Sequence, residues 1–224
     1  MADRSKKGLI DLSHVIEEGM TTYMGLPGPH ICDYWTREAS AANYDDGSTF
    51  HIGRIDMVAN TGTYVDSPFH RYADGKDLSE LQLESLADLD GLVVRKPFEH
   101  GLAINADSFE DLDVAGKAVL IHSGWDRFWR TEAYFTEHPF LTEAAARALV
   151  DGGAAFVGID SHNIDDSRSR ARPVHSLLLG ADIPIGEHLT GLERLPDRGF
   201  SFSAVPPKIR GMGTFPVRAF ARLD

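Results

Sequence analysis

The stretch that decides the fold is "NTGTYVDSPFH", Asn60 to His70, inside the longer run "VANTGTYVDSPFHRYADGKDL" from Val58 to Leu78. Asn60, Tyr64, Asp66 and His70 are all even-numbered, so on an extended chain they point to one face. Sharing a face is not sufficient for a metal site. Two ligands of one ion, each about 2 Å from it, must lie within about 4 Å of each other, whereas residues four apart on a strand stand about 13 Å apart. The chain must therefore curl for these side chains to converge. Gly62 admits backbone angles closed to other residues, and Pro68 ends regular pairing. Asp66 reads as a carboxylate ligand or general base, and equally as a turn-capping group. His70 reads as a general acid/base, and equally as a half-buried hydrogen-bonded imidazole. Spacing alone leaves both open.

Outward from this stretch, strands outnumber helices. "LIDLSHVI" (Leu9–Ile16) predicts an early strand, and "FHIGRIDMVA" (Phe50–Ala59) alternates with period two and predicts another. "GLVVRK", "KAVLIHSG" and "AAFVGID" are apolar, β-branched runs that predict buried strands, and "FSFSAV" and "PVRAFARL" predict two more at the end. The clearest helix is "LTEAAARALVDGG", capped by Thr142 and closed by Gly152 or Gly153, and a shorter one is expected over Val174–Leu179. Between Gly19 and Ser48 the chain is rich in Gly, Pro, Asp and Asn with Tyr23, Tyr34, Trp35 and Tyr44 interspersed. This reads as a long loop of the lid or binding kind, or as a surface excursion with anchoring aromatics. The order is mixed and strand-rich, an α/β chain without strict βαβ alternation, and its length fits a single domain over residues 1–224.

Composition narrows the function. With 22 Lys and Arg against 34 Asp and Glu, the formal charge is −12, which repels phosphate backbones, and no basic stripe with interleaved aromatics is present, so no nucleic acid partner is expected. No run approaches the roughly 20 apolar residues of a membrane helix, and "MADRSKKGLIDLS" lacks an apolar signal core, so a cytoplasmic location without membrane attachment is expected. Cys32 is the only cysteine, which removes an intrachain disulfide and a thiolate zinc cluster. There is no GxSxG elbow, P-loop or GxGxxG after a strand.

Two further places carry chemistry-bearing residues. In "RPVHSLLLGADIPIGEHL", His175 precedes Glu187 by twelve residues. Brought beside Asp66, the pair would complete an N,O,O set suited to one Zn²⁺ or Mn²⁺, although among 10 histidines and 34 acids such pairs also arise by chance. "GIDSHNIDD" places Asp160 and His162 after a buried strand, as site residues or as loop hydrogen-bonders.

Together these pieces resemble the cyclase superfamily of metal-dependent hydrolases, which includes bacterial kynurenine formamidase, isatin hydrolase and a dienelactone hydrolase. The resemblance runs through "LIDLSHVIEEGMTTYMGLP", the central motif His-x-Gly-Thr-His-x-Asp-x-Pro-x-His in the form "NTGTYVDSPFH", the strand "FVGID", and the late His/Glu pair. It implies a swivelling β/β/α fold and a homodimer or homotetramer. It also implies Asp66 and Glu187 as metal-bridging carboxylates, His175 as a ligand, His70 as catalytic acid/base and Tyr23 as a substrate contact. The departure is that Asn60 and Tyr64 replace the first two motif histidines. Asparagine's carbonyl is a poor zinc ligand and a phenol must lose a proton to bind strongly. The expectation is thus a reduced, mononuclear site with one Zn or Mn on Asp66, His175 and Glu187. It would hydrolyse a small amide, imide or lactone, with Asp66 and His70 catalytic. Tyr23, Trp35, Asn60, Tyr64 and His162 would face the substrate. Two alternatives stand beside it: a metal-free ligand-binding protein on the same scaffold, and a metal-free acid/base isomerase or cyclase.

Overall fold

A computed structural model describes residues 8–21 and 23–223. Its strands are β1 (Leu9–Asp11), β2 (His30–Trp35), β3 (Ile52–Asp56), β4 (Tyr64–Asp66), β5 (Leu89–Arg95), β6 (Ala103–Ile104), β7 (Ala118–His122), β8 (Phe140–Leu141), β9 (Phe156–Ile159), β10 (Ile185–Glu187), β11 (Phe200–Ser203), β12 (Thr214–Pro216) and β13 (Phe220–Leu223). The helices are α1 (Arg37–Ser40), α2 (Glu143–Asp151) and α3 (Pro173–Gly180). Nine strands form one sheet in the order β1-β13-β11-β5-β7-β9-β10-β4-β12. The four central strands β5, β7, β9 and β10 run parallel, and antiparallel strands flank them on both sides.

The sheet is rolled. β12 and β13 are seven places apart in the strand order, which in a flat sheet would be about 34 Å. Yet the chain passes from Pro216 to Phe220 in four residues, a reach of at most about 14 Å. The inner face of the roll is consequently one apolar cluster in which Val65 from one end meets Phe200, Phe202 and Ala221 from the other. The alternate residues of the same strands, Leu92, Val119, Ile121, Val157 and Ile185, face outward beneath α2 and α3. Period-two alternation thus serves two cores, which is why the central strands read as near-continuous apolar runs.

Both main helices lie where the sequence places them. Thr142 accepts a hydrogen bond from Ala145 N at 3.3 Å, and Gly153 follows the last turn of α2 at φ +75°. Four strand and loop expectations change. The early strand covers only Leu9–Asp11, because Ser13 supplies the next rungs with its hydroxyl, donating to Val217 O and accepting from Ala219 N. The supposed long loop contains β2, which pairs with β3 as a two-stranded ribbon. All five residues of β3 are exposed, so its alternation marks no buried face of this chain. Finally, "PVRAFARL" is no single strand: β12 and β13 divide it between opposite ends of the sheet order.

Candidate active site

Strand register turns the even-numbered residues into a site. β10 runs antiparallel to β4, with Ile185 opposite Asp66 and Glu187 opposite Tyr64. On the other side β12 sets Thr214 opposite Asp66. Residues directly opposite share a face, so Tyr64, Asp66, Glu187 and Thr214 project together toward α3 while Val65 enters the inner core. Gly62, at φ +67°, makes the left-handed turn before β4, and the 3₁₀ turn Pro68–His70 bends the chain back after it. Helix α3 opens with Pro173, which has no N–H to leave unpaired, and carries His175 in its first turn.

His175 is clamped from two sides. Its Nδ1 donates to Asp165 Oδ2 at 2.6 Å, and Asp165 also accepts from the backbone N–H groups of Val174 and His175 at 2.8 and 3.0 Å. This carboxylate therefore caps the helix and sets the imidazole tautomer. Nε2 is left facing Asp66 Oδ2 at 3.7 Å and Glu187 Oε1 at 3.6 Å. Burial opposes a charge on His175, but the hydrogen bond to Asp165 and the carboxylates of Asp66 and Glu187 facing Nε2 outweigh it and raise its pKa to about 10, so with no cation among them the ring carries the positive charge itself. Burial, with Asp66 adding to it, pushes the Glu187 carboxyl up. The Tyr64 phenol is driven well above its ordinary value by burial first and then by Glu187 and Asp66. Tyr64 accordingly stays protonated and donates to Glu187 Oε2 at 2.6 Å.

Carboxylate and imidazole donors gather here as they would around a divalent cation. Asp66 Oδ2 is buried without a hydrogen-bond partner among the described residues, a costly state for a carboxylate unless something positive lies against it, either the protonated His175 at 3.7 Å or a cation that displaces the Nε2 proton. His175 Nε2 lies within the roughly 4 Å that two ligands of one ion can span, both from Asp66 and from Glu187. Glu187 Oε1 is further steadied by Ile164 N at 2.7 Å. The three ligand atoms that lie within 4.8 Å of one another among the described residues are those of Asp66, His70 and His175, so His70 stands where Glu187 was expected, and Glu187 approaches the set through His175. A second ion finds no imidazoles at Asn60 and Tyr64, and the Tyr64 hydroxyl is already engaged.

His70 stands at the edge of this group, its side chain 36% exposed. Thr214 donates its hydroxyl proton to Asp66 Oδ1, so its oxygen accepts from His70 Nδ1 at 2.9 Å. That chain turns His70 Nε2 away from Thr214. Beside it opens a cavity of about 250 Å³ lined by Tyr23, Asn60, Tyr64, His70, His175 and Glu187, with Leu26, Asn163 and two arginines around them. The volume falls below the roughly 300–1,000 Å³ of drug-sized sites and suits a one-ring ligand.

Among the residues expected to face substrate, Tyr23, Asn60 and Tyr64 line this cavity. Trp35 lies on the exposed ribbon against Phe50, with ring centroids 5.2 Å apart, and is not in the lining. His162 is a layer deeper, packed between Tyr23 at 4.8 Å and His138 at 5.1 Å. Asp160 ties Ser123 and Gly124 to the end of β9 through their backbone N–H groups, a structural role. Sequence reading missed Asp165 and Thr214. Thr214 carries no local signal, and Asp165 is ten residues from the imidazole it orients.

The family model for Cyclase (putative cyclase) matches residues 10–166. The match takes in Asp66 and His70 and ends before His175 and Glu187. The kynurenine formamidase of Geobacillus thermodenitrificans (strain NG80-2) is 27% identical over 216 residues, which are 95% of this chain and 96% of that protein. Among solved structures, a potential metal-dependent hydrolase with cyclase activity superposes with a TM-score of 0.76 at 26% identity, covering 96% of each chain. An isatin hydrolase bound to the product analogue thioisatinate superposes with a TM-score of 0.80 at 21% identity, covering 95% of this chain and 91% of its own, and speaks to the fold.

Proposed function

The chain belongs to the Cyclase family and has a mixed, strand-rich α/β fold, and from that premise we propose a metal-dependent hydrolase of a small, one-ring amide, imide or lactone. Asp66, His175 and Glu187 would hold a single divalent ion, Zn²⁺ or Mn²⁺. The observation that carries this reading is the buried, partnerless Asp66 Oδ2 set 3.7 Å from His175 Nε2. When bound, such an ion lowers the pKa of a water and polarises a carbonyl.

The chain's own residues do the rest. Tyr23 and Leu26 wall the cavity against solvent on the substrate's flanks. Thr214 orients His70 so that Nε2 faces the reacting atoms, takes a proton during attack and returns it to the leaving nitrogen or oxygen. Asp165 holds His175 in its ligating tautomer, in the manner of a carboxylate behind a metal-bound imidazole. Tyr64 fixes Glu187 and fills the space that a second cation's ligand would need.

Elemental analysis of the untagged protein, dialysed against trace Zn²⁺ and Mn²⁺, tests this. About one ion per chain is expected, with His175→Ala and Asp66→Asn losing it and His70→Ala keeping it while amide hydrolysis falls by roughly 10²–10⁴. The replacement of two imidazoles by Asn60 and Tyr64 favours a second reading, a metal-free ligand-binding protein. Wild-type protein free of metal under every condition would select it and discard the first.

A further inference from the structure

The wall of the cavity carries a charge pattern that hydrolysis alone leaves unused. Arg71 and Arg172 both line it, while among the described residues the only acidic side chain in the lining is Glu187, which is 1% exposed. Among the described residues, a chain of formal charge −12 thus presents two guanidiniums and no exposed carboxylate at this opening. Neither arginine forms an ion pair among the described residues. Other arginines also lack an acidic partner, so what sets these two apart is their shared place in the cavity lining.

Both side chains are braced, and from behind. Arg71 Nε donates to Ser176 Oγ at 3.0 Å, and the same hydroxyl donates to the backbone carbonyl of Arg172 at 2.8 Å, so the serine ties the Arg71 side chain to the start of α3. Arg172 spends Nη1 on the carbonyls of Asp166 and Ala171, at 3.2 and 3.0 Å, and on that of Ser169. The bracing uses one nitrogen of each guanidinium. The remaining N–H groups, both Nη of Arg71 and the Nε and Nη2 of Arg172, have no protein acceptor among the described residues. A guanidinium whose fork is held in place loses less entropy on binding and matches a planar oxyanion with two parallel hydrogen bonds.

We infer that Arg71 and Arg172 form an anion subsite and that the substrate carries a carboxylate, placed away from the bond to be cleaved. This deepens the hydrolytic reading and rests on it for the reacting end of the substrate only. The cavity of about 250 Å³ suits a compound of one ring bearing both groups. An aromatic N-acylamino acid or a carboxylated lactone has this form. One end would lie toward Asp66 and His175 and the other toward the arginines.

The test pairs probes that differ only in charge. Binding of benzoate and of neutral benzamide is measured by calorimetry on the protein as purified and again after chelation, in wild type, Arg71→Gln and Arg172→Gln. Formanilide and 3-formamidobenzoate are compared as substrates in parallel. Wild type is expected to prefer the anionic member of each pair by roughly tenfold to a hundredfold, the scale of one charge-assisted hydrogen bond. The binding preference should survive chelation, fall with salt and collapse toward unity in either variant. Arg71 is exposed, so its variant folds even if Arg172→Gln does not. Equal treatment of both members, or a preference that disappears with the metal and ignores the arginines, overturns the subsite. If neither formyl compound is hydrolysed but benzoate is still preferred through the arginines, the subsite stands and the hydrolytic reading fails.

Discussion

Lowering the pH from about 7.5 to about 5 challenges imidazoles that the fold holds in neutral form, His14 and His162 as well as the fully buried His188. His14 stacks on Trp129 with ring centroids 4.0 Å apart, and its Nε2 is buried without a partner among the described residues. His162 Nδ1 is in the same condition between Tyr23, Phe135 and His138. Burial pulls the His14 pKa down to about 4, with Asp126 opposing it. Burial pulls His162 down to about 3, helped by His138 and Arg172. Both folded values lie below the unfolded value of 6.5. The unfolded chain therefore binds more protons below that pH, and stability falls as pH falls, ceasing to change only below the folded values. Integrating the linkage relation from about pH 7.5 to pH 5 gives about 2 kcal/mol for each histidine. Two such losses matter against a total of roughly 5–15 kcal/mol. Urea unfolding followed by tryptophan fluorescence, at constant ionic strength and with chelator present throughout, measures this. His14→Phe keeps the stacked ring and removes one titration, so its stability should change by about 2 kcal/mol less than wild type between the two pH values. Equal losses in the two proteins would refute the assignment of a neutral, buried His14.

Three other outcomes follow from single contacts. A Cβ at Gly213 would stand 2.5 Å from the backbone N of His70, so Gly213→Ala should cost about 1–3 kcal/mol and depress turnover out of proportion to binding, seen as a fall in kcat with KM little changed. Asp165→Asn keeps a side-chain acceptor for the helix start but weakens the tie to His175 Nδ1, and metal affinity should drop roughly 10- to 100-fold in a chelator competition assay. The ribbon β2–β3 exposes Ile31, Trp35, Ile52 and Ile55 at 39–55%, apolar area consistent with the homodimer or homotetramer expected from family resemblance. Light scattering should find an oligomer, and Ile55→Asp should shift it toward monomer. A monodisperse wild-type monomer would count against that assembly.

Several parts of this protein were legible in one dimension because their cause is local. Helix α2 needs only Thr142, an alanine-rich turn and the two glycines that close it. Asp66 and His70 could be singled out because parity, Gly62 and Pro68 are all written within eleven residues. The ribbon was not legible, since a strand without a buried face leaves no trustworthy apolar period and its alternation misleads.

By itself the sequence determined which chemistry was available: one cluster of carboxylate and imidazole, a second His/Glu pair, and the absence of two imidazoles at positions 60 and 64. Tertiary structure alone decided how those groups meet. Glu187 reaches Tyr64 because β10 and β4 pair in one register and no other, and a slip of one residue would turn both side chains into the opposite core. Thr214 orients His70 across 144 residues of chain, and Asp165 sets the tautomer of His175 from a loop with no periodicity. Arg71 and Arg172 look in sequence like ordinary surface charges, and only the cavity that both line shows them as a pair. Contacts of this kind depend on where a rolled sheet brings its ends and helices, a consequence of long-range packing that local residue preferences do not encode.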